Sequence, residues 1–153
     1  MPTQPETRPL PVPPGPIWNP EAAANWSLPF SPAFGSFLQM RNWTVLGEPD
    51  KARASGVWFI ASIVMLAAYP VVYLMFADHP QADLGVRLAG FLFLLTWYLG
   101  HARQQAKFVK QQYGTQYPRK KWGAPLGIAL ACGVAYLGMS FALAVAVAVV
   151  KEL

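Results

Sequence analysis

The chain of 153 residues is long enough for a single domain, and its formal net charge is +5. Hydrophobic residues make up 54 % of the chain and charged residues only 12 %, about half of the share usual in soluble domains. So few charged side chains cannot cover the surface of a soluble protein of this length, and the apolar residues are concentrated in three blocks. This composition predicts an all-α integral membrane protein with three transmembrane helices and one N-terminal interfacial helix.

The positive net charge does not by itself indicate a nucleic acid as the partner. Basic residues beside apolar spans are typical of topology determinants and of contacts to the anionic headgroups of membrane lipids. We therefore expect membrane lipids, and no nucleic acid, as partners of the basic residues. The residues expected to contact lipid headgroups are Arg103, Lys107, Lys110, Arg119, Lys120 and Lys121.

The first 24 residues are predicted to form a disordered, proline-rich tail, and residues 25–153 to form the membrane domain. Eight of the first 20 residues are proline. Proline fixes φ and lacks the N–H donor, so neither a helix nor a paired strand is expected there. We interpret this tail as a spacer.

Residues 31–46 are predicted to form a short helix that lies in the membrane interface. Ser31 is a good N-cap, and Gly47 suits the position after the last turn. The apolar face is formed by Phe34, Phe37, Leu38 and Val45, and the polar positions are Gln39, Arg41 and Asn42. Such an amphipathic segment with an Arg and neighbouring Trp residues favours the interface, and the alternative is a fourth span from about residue 27 to residue 46.

Three apolar segments are predicted to span the bilayer, namely residues 55–77, residues 84–100 and residues 125–150. The second is the shortest at about 25 Å, and it contains Arg87, which we expect to extend toward the headgroups. Its helix is predicted to continue to residue 113. In the first span Pro70 removes the hydrogen bond to the Leu66 carbonyl and should kink the helix.

The distribution of basic residues predicts the orientation of the spans. Lys and Arg are concentrated before the first span and between the second and third spans, whereas the other connection carries only Arg87. The positive-inside rule therefore predicts a cytoplasmic N-terminus and a periplasmic C-terminus. Aromatic residues near the same boundary resemble an interfacial belt: Trp97, Tyr98, Tyr113, Tyr117 and Trp122.

The sequence offers little that could support catalysis or metal binding. Every acidic residue lies outside the predicted spans, and no Ser/His/Asp or Cys/His arrangement, phosphate loop or metal-ligand pair is visible. Asp78, His79 and Asp83 are interpreted as a solvated turn, although they are potential ligands. His101 is interpreted as an interface residue and Cys132 as a small buried residue. We therefore expect no catalytic residue, no cofactor, no metal, and hence no enzyme.

The third span carries a stripe of small residues, which are Gly127, Ala131, Ala135, Gly138, Ala142 and Ala146. Their spacing of 4, 4, 3, 4 and 4 residues aligns them along one face of a helix. Small side chains allow another helix to approach closely in a membrane, so the stripe predicts a helix-packing face. The partner could be another span of this chain, a second copy or a different membrane protein.

A block near the N-terminus resembles a known group of proteins. It consists of Trp18-Asn19-Pro20, Asn25-Trp26-Ser27-Leu28, Phe30-Ser31-Pro32-Ala33-Phe34-Gly35, Asn42-Trp43 and Leu46-Gly47-Glu48-Pro49. This block resembles small multi-pass inner-membrane proteins of Gram-negative bacteria. The resemblance covers roughly residues 17–50 and implies the bacterial inner membrane, but no activity and no functional residues.

Together these patterns predict a non-enzymatic accessory or interaction protein of the bacterial inner membrane. It would act through helix packing and through its basic cytoplasmic face. The alternative is a small oligomeric channel or permeation element, with Tyr69, Tyr73, Thr96 and Ser140 as its polar lining.

Overall fold

The computed structural model describes residues 11–76 and 79–152. The helices are α1 (Pro20–Phe30), α2 (Pro32–Val45), α3 (Pro49–Met75), α4 (Pro80–Trp97), a π-helical turn (Tyr98–Ala102), α5 (Arg103–Tyr113) and α6 (Gly123–Glu152). Within the described residues the strand-like pairing is limited to an isolated bridge between Ile17 and Arg119. The predicted all-α class is therefore confirmed.

Three helices are long and apolar enough to cross a membrane, namely Pro49–Met75, Leu84–Tyr113 and Gly123–Val150. In their most apolar stretches only 6 %, 11 % and 0 % of the residues are buried within the chain. Water does not tolerate so large an exposed apolar surface, whereas lipid does. The chain is therefore a multi-pass membrane protein, as its composition predicts.

Helices extend beyond the predicted spans. α3 begins at Pro49, six residues before the predicted start of its span, and α4 begins at Pro80, so residues 80–83 form the first turn of a helix and not a polar turn. The second apolar helix continues to Tyr113 as predicted, although the π-helical turn interrupts its regular α-helical geometry. Asp78 lies outside the described residues.

α2 is the central helix of what we call the polar end, formed by α1, α2, α5, the first turns of α3 and residues 114–122. It runs antiparallel beside the first half of α3, because the Phe37 ring lies 5.8 Å from that of Phe59 while Met40 faces Gly56. The helix predicted over residues 31–46 is thus present. It lies alongside a span, however, and not alone on the membrane surface.

α2 also runs parallel to the chain from α4 into α5. Gly35 contacts Trp97, Gln39 bonds to Ala102, and Asn42 bonds to Gln105, so the residue numbers rise together in the two elements. The predicted polar face of this helix includes Gln39 and Asn42, and this prediction is wrong, because both residues are fully buried. α2 therefore has neighbours on several sides and no solvated face at these positions.

Regular structure begins before residue 24, which is the predicted end of the N-terminal tail. α1 begins at Pro20, and the Asn19 side chain caps it by accepting hydrogen bonds from the N–H groups of Glu21 and Ala22. Ile17 is fully buried and exchanges backbone hydrogen bonds with the 118–120 segment. The part of the predicted tail over residues 1–10 lies outside the described residues.

The apolar core of the polar end consists of two clusters. One contains Ile17, Trp43, Leu46 and Val109, and the other contains Ala24, Trp97 and Ala102. Trp43 stacks edge-on with Phe108 at 5.1 Å, and the Lys51 ammonium lies 5.0 Å and 4.1 Å from these two ring centroids. Trp97 was expected in an interfacial belt, but it is fully buried because Gly35 leaves room for its ring.

α6 contacts the rest of the chain along one narrow face. Tyr136 on this face donates a hydrogen bond of 3.1 Å to the Leu66 carbonyl, the acceptor that Pro70 leaves without its helical N–H partner. Cys132 lies on α6 but is exposed, so its interpretation as a buried residue was wrong. Cys132 has apolar neighbours along its own helix, but it faces outward from the chain and does not lie in a protein core.

Gly35→Ala should lower the free energy of unfolding by about 1–3 kcal/mol, the usual cost of an overpacked site. A Cβ at Gly35 would lie 2.6 Å from Cη2 of Trp97 and would also meet the Ser27 hydroxyl. Thermal unfolding of the full chain in detergent measures the effect. Gly90→Ala is the matched control, because nothing lies within 4 Å of the Cβ it would add. Equal melting temperatures for the two variants would contradict the close approach of α1, α2 and α4.

Candidate functional site

Three buried amide side chains join α2 to α5 at the polar end. Asn42 donates from its Nδ2 to Gln105 Oε1 at 2.9 Å, and Gln105 donates back to the Gln39 carbonyl at 3.0 Å. Gln39 in turn donates to the Ala102 carbonyl at 2.9 Å. All three side chains are fully buried, so each hydrogen bond replaces a contact to water that burial has removed.

Asn42 extends this amide network to the N-terminal segment. Its Oδ1 accepts from the Trp18 N–H at 3.0 Å, and its Nδ2 donates to the Trp18 carbonyl at 2.8 Å. The Trp18 indole N–H donates to the Lys121 carbonyl at 3.1 Å, so the chain before α1 is tied both to α2 and to the loop before α6. One Asn side chain thus pairs with both backbone groups of a residue 24 positions away.

The π-helical turn at Tyr98–Ala102 determines which side of α5 faces inward. In an uninterrupted α-helix the face of Trp97 would continue at residues 101, 104 and 108. Beyond His101, the fully or nearly fully buried residues are instead Ala102, Gln105 and Val109. The one extra residue of a π turn accounts for this shift, and it brings Gln105 to the amide network.

Ser55 on α3 and His101 in the π turn form a buried pair, with 2.9 Å between Ser55 Oγ and His101 Nε2. The sequence showed no such Ser/His arrangement, because 46 residues separate the two. Ser55 has no exposed surface, and no acidic partner of His101 is found among the described residues. The pair therefore joins α3 to the π turn, and a substrate has no access to the hydroxyl.

The structure brings three of the six predicted headgroup contacts together. Arg103, Lys107 and Lys110 project from one face of α5 into a cleft between α1 and α5, which we call the α1–α5 cleft. Its volume is about 340 Å³, and Glu21, Asn25 and Tyr98 complete its polar lining. The Tyr98 hydroxyl donates to Asn25 Oδ1 at 3.2 Å across the cleft.

The other three predicted headgroup contacts lie in the loop before α6. The Lys120 ammonium lies 4.3 Å from the centroid of the Trp18 ring, and the Arg119 guanidinium lies 5.1 Å from that of Tyr117. Lys121 is exposed. Burial raises the pKa of the Tyr117 hydroxyl above its ordinary value, and the charge of Arg119 opposes this shift. Tyr117 is therefore neutral at physiological pH.

The six residues of the small-residue stripe are all exposed. The side of α6 that is partly covered carries Leu126, Ala129, Gly133, Tyr136, Ser140, Ala144 and Val147. At about 100° per residue, this covered side and the stripe lie on opposite faces of the helix. Within the described residues, nothing lies within 4 Å of a Cβ built on Gly127 or Gly138. The stripe therefore does not pack against another span of the same chain.

The residues proposed as a channel lining are only partly brought together. Tyr69, Tyr73 and Ser140 line a cleft of about 290 Å³ between α3 and α6, whereas Thr96 is not among its lining residues. Most of the other residues of this cleft are apolar. Across the residues that the structure describes, no group of His, Cys, Asp and Glu side chains could hold a metal ion.

Sequence reasoning missed the amide network because its members look like ordinary surface residues. Gln39 and Asn42 are three residues apart on α2, and Gln105 lies 63 residues beyond Asn42. The usable signal was the position of the two amides on the same helix face as Gly35, whose lack of a side chain allows close packing. No protein-family model, no curated protein and no solved structure matches the chain.

Gln105→Met should lower the free energy of unfolding by about 1–3 kcal/mol, because it leaves a buried N–H of Asn42 without an acceptor. Met is close to Gln in size, so packing changes little. Gln112→Met on the exposed face of the same helix is the control and should be nearly neutral. Thermal unfolding in detergent separates the two, and a neutral Gln105→Met would show that the network contributes little.

Proposed function

We propose that the protein is a non-enzymatic interaction protein of the bacterial inner membrane that binds a transmembrane helix of its partner on α6. The single observation behind this proposal is the outward direction of the small-residue stripe. It faces away from the chain's own helices, and nothing occupies the space beside Gly127 and Gly138. A face shaped for close packing that the chain itself does not use is available to another molecule.

Physical reasons favour a helix as the occupant of this face. Lipid is as apolar as a leucine side chain, so helices associate in membranes mainly through packing contacts. Large exposed side chains flank the stripe, with Val134 and Phe141 on one side and Ile128 and Met139 on the other. The small residues therefore form the floor of a shallow groove along α6. A helix in this groove would contact both the floor and its flanks.

The charges of the polar end support its placement in the cytoplasm. Most of the basic residues of the chain lie at the polar end: Arg41, Lys51, Arg53, Arg103, Lys107, Lys110, Arg119, Lys120 and Lys121. Among the described residues, the acidic ones at the same end are Glu21, Glu48 and Asp50. This excess of positive charge favours the cytoplasmic side and contacts with anionic lipid headgroups. The resemblance of residues 17–50 supports the bacterial inner membrane.

The alternative of a small oligomeric channel rests on the cleft between α3 and α6. Tyr69, Tyr73 and Ser140 share this cleft, but its apolar walls and the bond from Tyr136 to Leu66 favour a packing role. Conductance of the reconstituted protein tests it directly. Ion currents in planar bilayers that disappear with Ser140→Leu would support the channel and contradict the interaction protein.

Gly138→Leu should weaken association with the partner by about 1–3 kcal/mol, or roughly tenfold and more, because it fills the floor of the groove. Co-purification of the full chain in mild detergent, with crosslinking before extraction, measures association. The species retained is a second copy or a different membrane protein. The fold of the monomer should not change, because the added side chain meets only open space within the chain.

Val145→Leu is the control for the stripe, because Val145 already has an exposed branched side chain, so the change adds one methylene and leaves the floor of the groove open. It should retain the associated species at the wild-type level. If wild-type protein, Gly138→Leu and Val145→Leu all behave alike, the stripe reflects composition alone and the proposal fails.

With the polar end in the cytoplasm, as proposed, residue 116 faces the cytoplasm and residue 81 faces the periplasm. Single cysteines at Gln116 and Gln81, in a chain with Cys132 replaced by Ala, can be treated with an impermeant thiol reagent in intact cells. Both positions are exposed, so either can react on its own side of the membrane. We expect labelling at residue 81 only, and labelling at residue 116 alone would reverse the orientation.

A further inference from the structure

The α1–α5 cleft has the composition of an anion-binding site. Arg103, Lys107 and Lys110 are spaced four and three residues apart, so their side chains lie on one face of α5 and repel each other. The ion pairs found among the described residues are Lys51 with Glu48 and Arg53 with Asp50, and none involves these three cations. Their positive charge is therefore available to a ligand in the cleft.

The size and floor of the cleft suit a small polar group. Ala24 on α1 and Ala106 on α5 belong to its lining, and their short side chains leave space between the two helices. The volume of about 340 Å³ falls within the range of small-molecule sites. The cleft could therefore enclose a headgroup, whereas a smooth basic surface would only attract it.

The cleft lies where the apolar surface of the molecule gives way to the polar end. Tyr98 in its wall follows directly on α4, and the neighbouring Leu95 and Leu99 are 38 % and 56 % exposed. On the other wall Trp26, next to Asn25, is 41 % exposed. Exposed Leu and Trp side chains favour the acyl-chain region of the bilayer and its boundary with the headgroups. A ligand in the cleft is therefore level with lipid headgroups.

Hydrogen-bonding groups complete the cleft. Asn25 accepts from Tyr98 through its Oδ1, which leaves its amide nitrogen as a donor for a phosphate oxygen. Glu21 is the carboxylate among the lining residues and sits in the first turn of α1. A carboxylate repels a second anionic group on the ligand but accepts hydrogen bonds from hydroxyls.

We infer that the α1–α5 cleft binds the headgroup of an anionic phospholipid with free hydroxyls, the class of phosphatidylglycerol. Arg103, Lys107 and Lys110 hold the phosphodiester, and Glu21 accepts a hydroxyl of the headgroup glycerol. The inference rests on the proposed contact between the basic end and anionic lipids, and it adds a defined site and a selectivity. It does not depend on the α6 stripe.

The experiment uses the full chain purified in a neutral detergent. Native mass spectrometry with added phosphatidylglycerol, phosphatidylmethanol or phosphatidylcholine gives the apparent affinity for each lipid, and thermal unfolding gives the stabilisation. The double variant Lys107→Gln/Lys110→Gln should lower the affinity for phosphatidylglycerol about 25-fold, since each basic residue near an anionic lipid contributes roughly fivefold. Arg41→Gln/Arg53→Gln removes the same charge outside the cleft, at exposed residues that are not among the predicted headgroup contacts, and should bind nearly as the wild type does.

The role of the Glu21 carboxylate is tested by comparing two lipids of equal net charge. The wild type should prefer phosphatidylglycerol several-fold to phosphatidylmethanol, which has no headgroup hydroxyl for Glu21 to bind, and Glu21→Ala should abolish this preference. Inorganic phosphate and soluble glycerol 3-phosphate should give no thermal stabilisation at millimolar concentration, because they lack the acyl chains that lie against Leu95 and Leu99.

Each of three results would overturn the inference. If the two double variants lose affinity equally, binding is spread over the basic end, which leaves the proposed lipid contact intact but removes the site. If phosphatidylmethanol binds the wild type as well as phosphatidylglycerol does, the hydroxyl selectivity is wrong. If inorganic phosphate stabilises the protein as much as the lipid does, the ligand is a soluble anion.

Discussion

The structure depends on the pairing of amide side chains that α2 carries into the interior of the polar end. Gln39 and Asn42 are fully buried beside helices that cross a membrane, so neither could regain water if its partner moved. Gln105 on α5 accepts from Asn42 and donates to the Gln39 backbone carbonyl. The Ala102 carbonyl accepts from the Gln39 side chain, and Trp18 satisfies the remainder of Asn42. This requirement fixes the rotation of α2 and the register of α5 together, because a shift of either helix would leave several buried donors unpaired.

The same constraint explains why basic side chains line the α1–α5 cleft. Gln105 must face inward, and the π turn rotates α5 to place it there. With Gln105 inside, the face that carries Arg103, Lys107 and Lys110 is directed toward the outer side of α1. The arrangement of the cations is thus a consequence of the buried network and not an independent feature of the surface. A change at residue 105 would therefore disturb both stability and the cleft.

The parts of the fold that follow from local pattern could be predicted, and the parts that follow from long-range pairing could not. Apolar runs gave three long helices, and the continuation of the second to Tyr113 followed from its spaced small and apolar residues. The burial of α2 could not be predicted, because Gln39 and Asn42 are polar and their partner Gln105 is distant in the sequence. Likewise, the basic residues were identifiable singly, but their shared cleft needed the position of α1. The outward direction of the small-residue stripe required the three-dimensional structure.

Pro70 links the packing inside the chain to the face that remains outside it. By leaving the Leu66 carbonyl without a helical donor, Pro70 provides an acceptor within an apolar span, where an unpaired carbonyl is costly. Tyr136 supplies the donor at 3.1 Å and thereby fixes which side of α6 faces α3. Once that side is fixed, residues half a turn away must face outward, and these are the small residues from Gly127 to Ala146. One proline in the first span therefore determines the direction of the surface that a partner helix would meet.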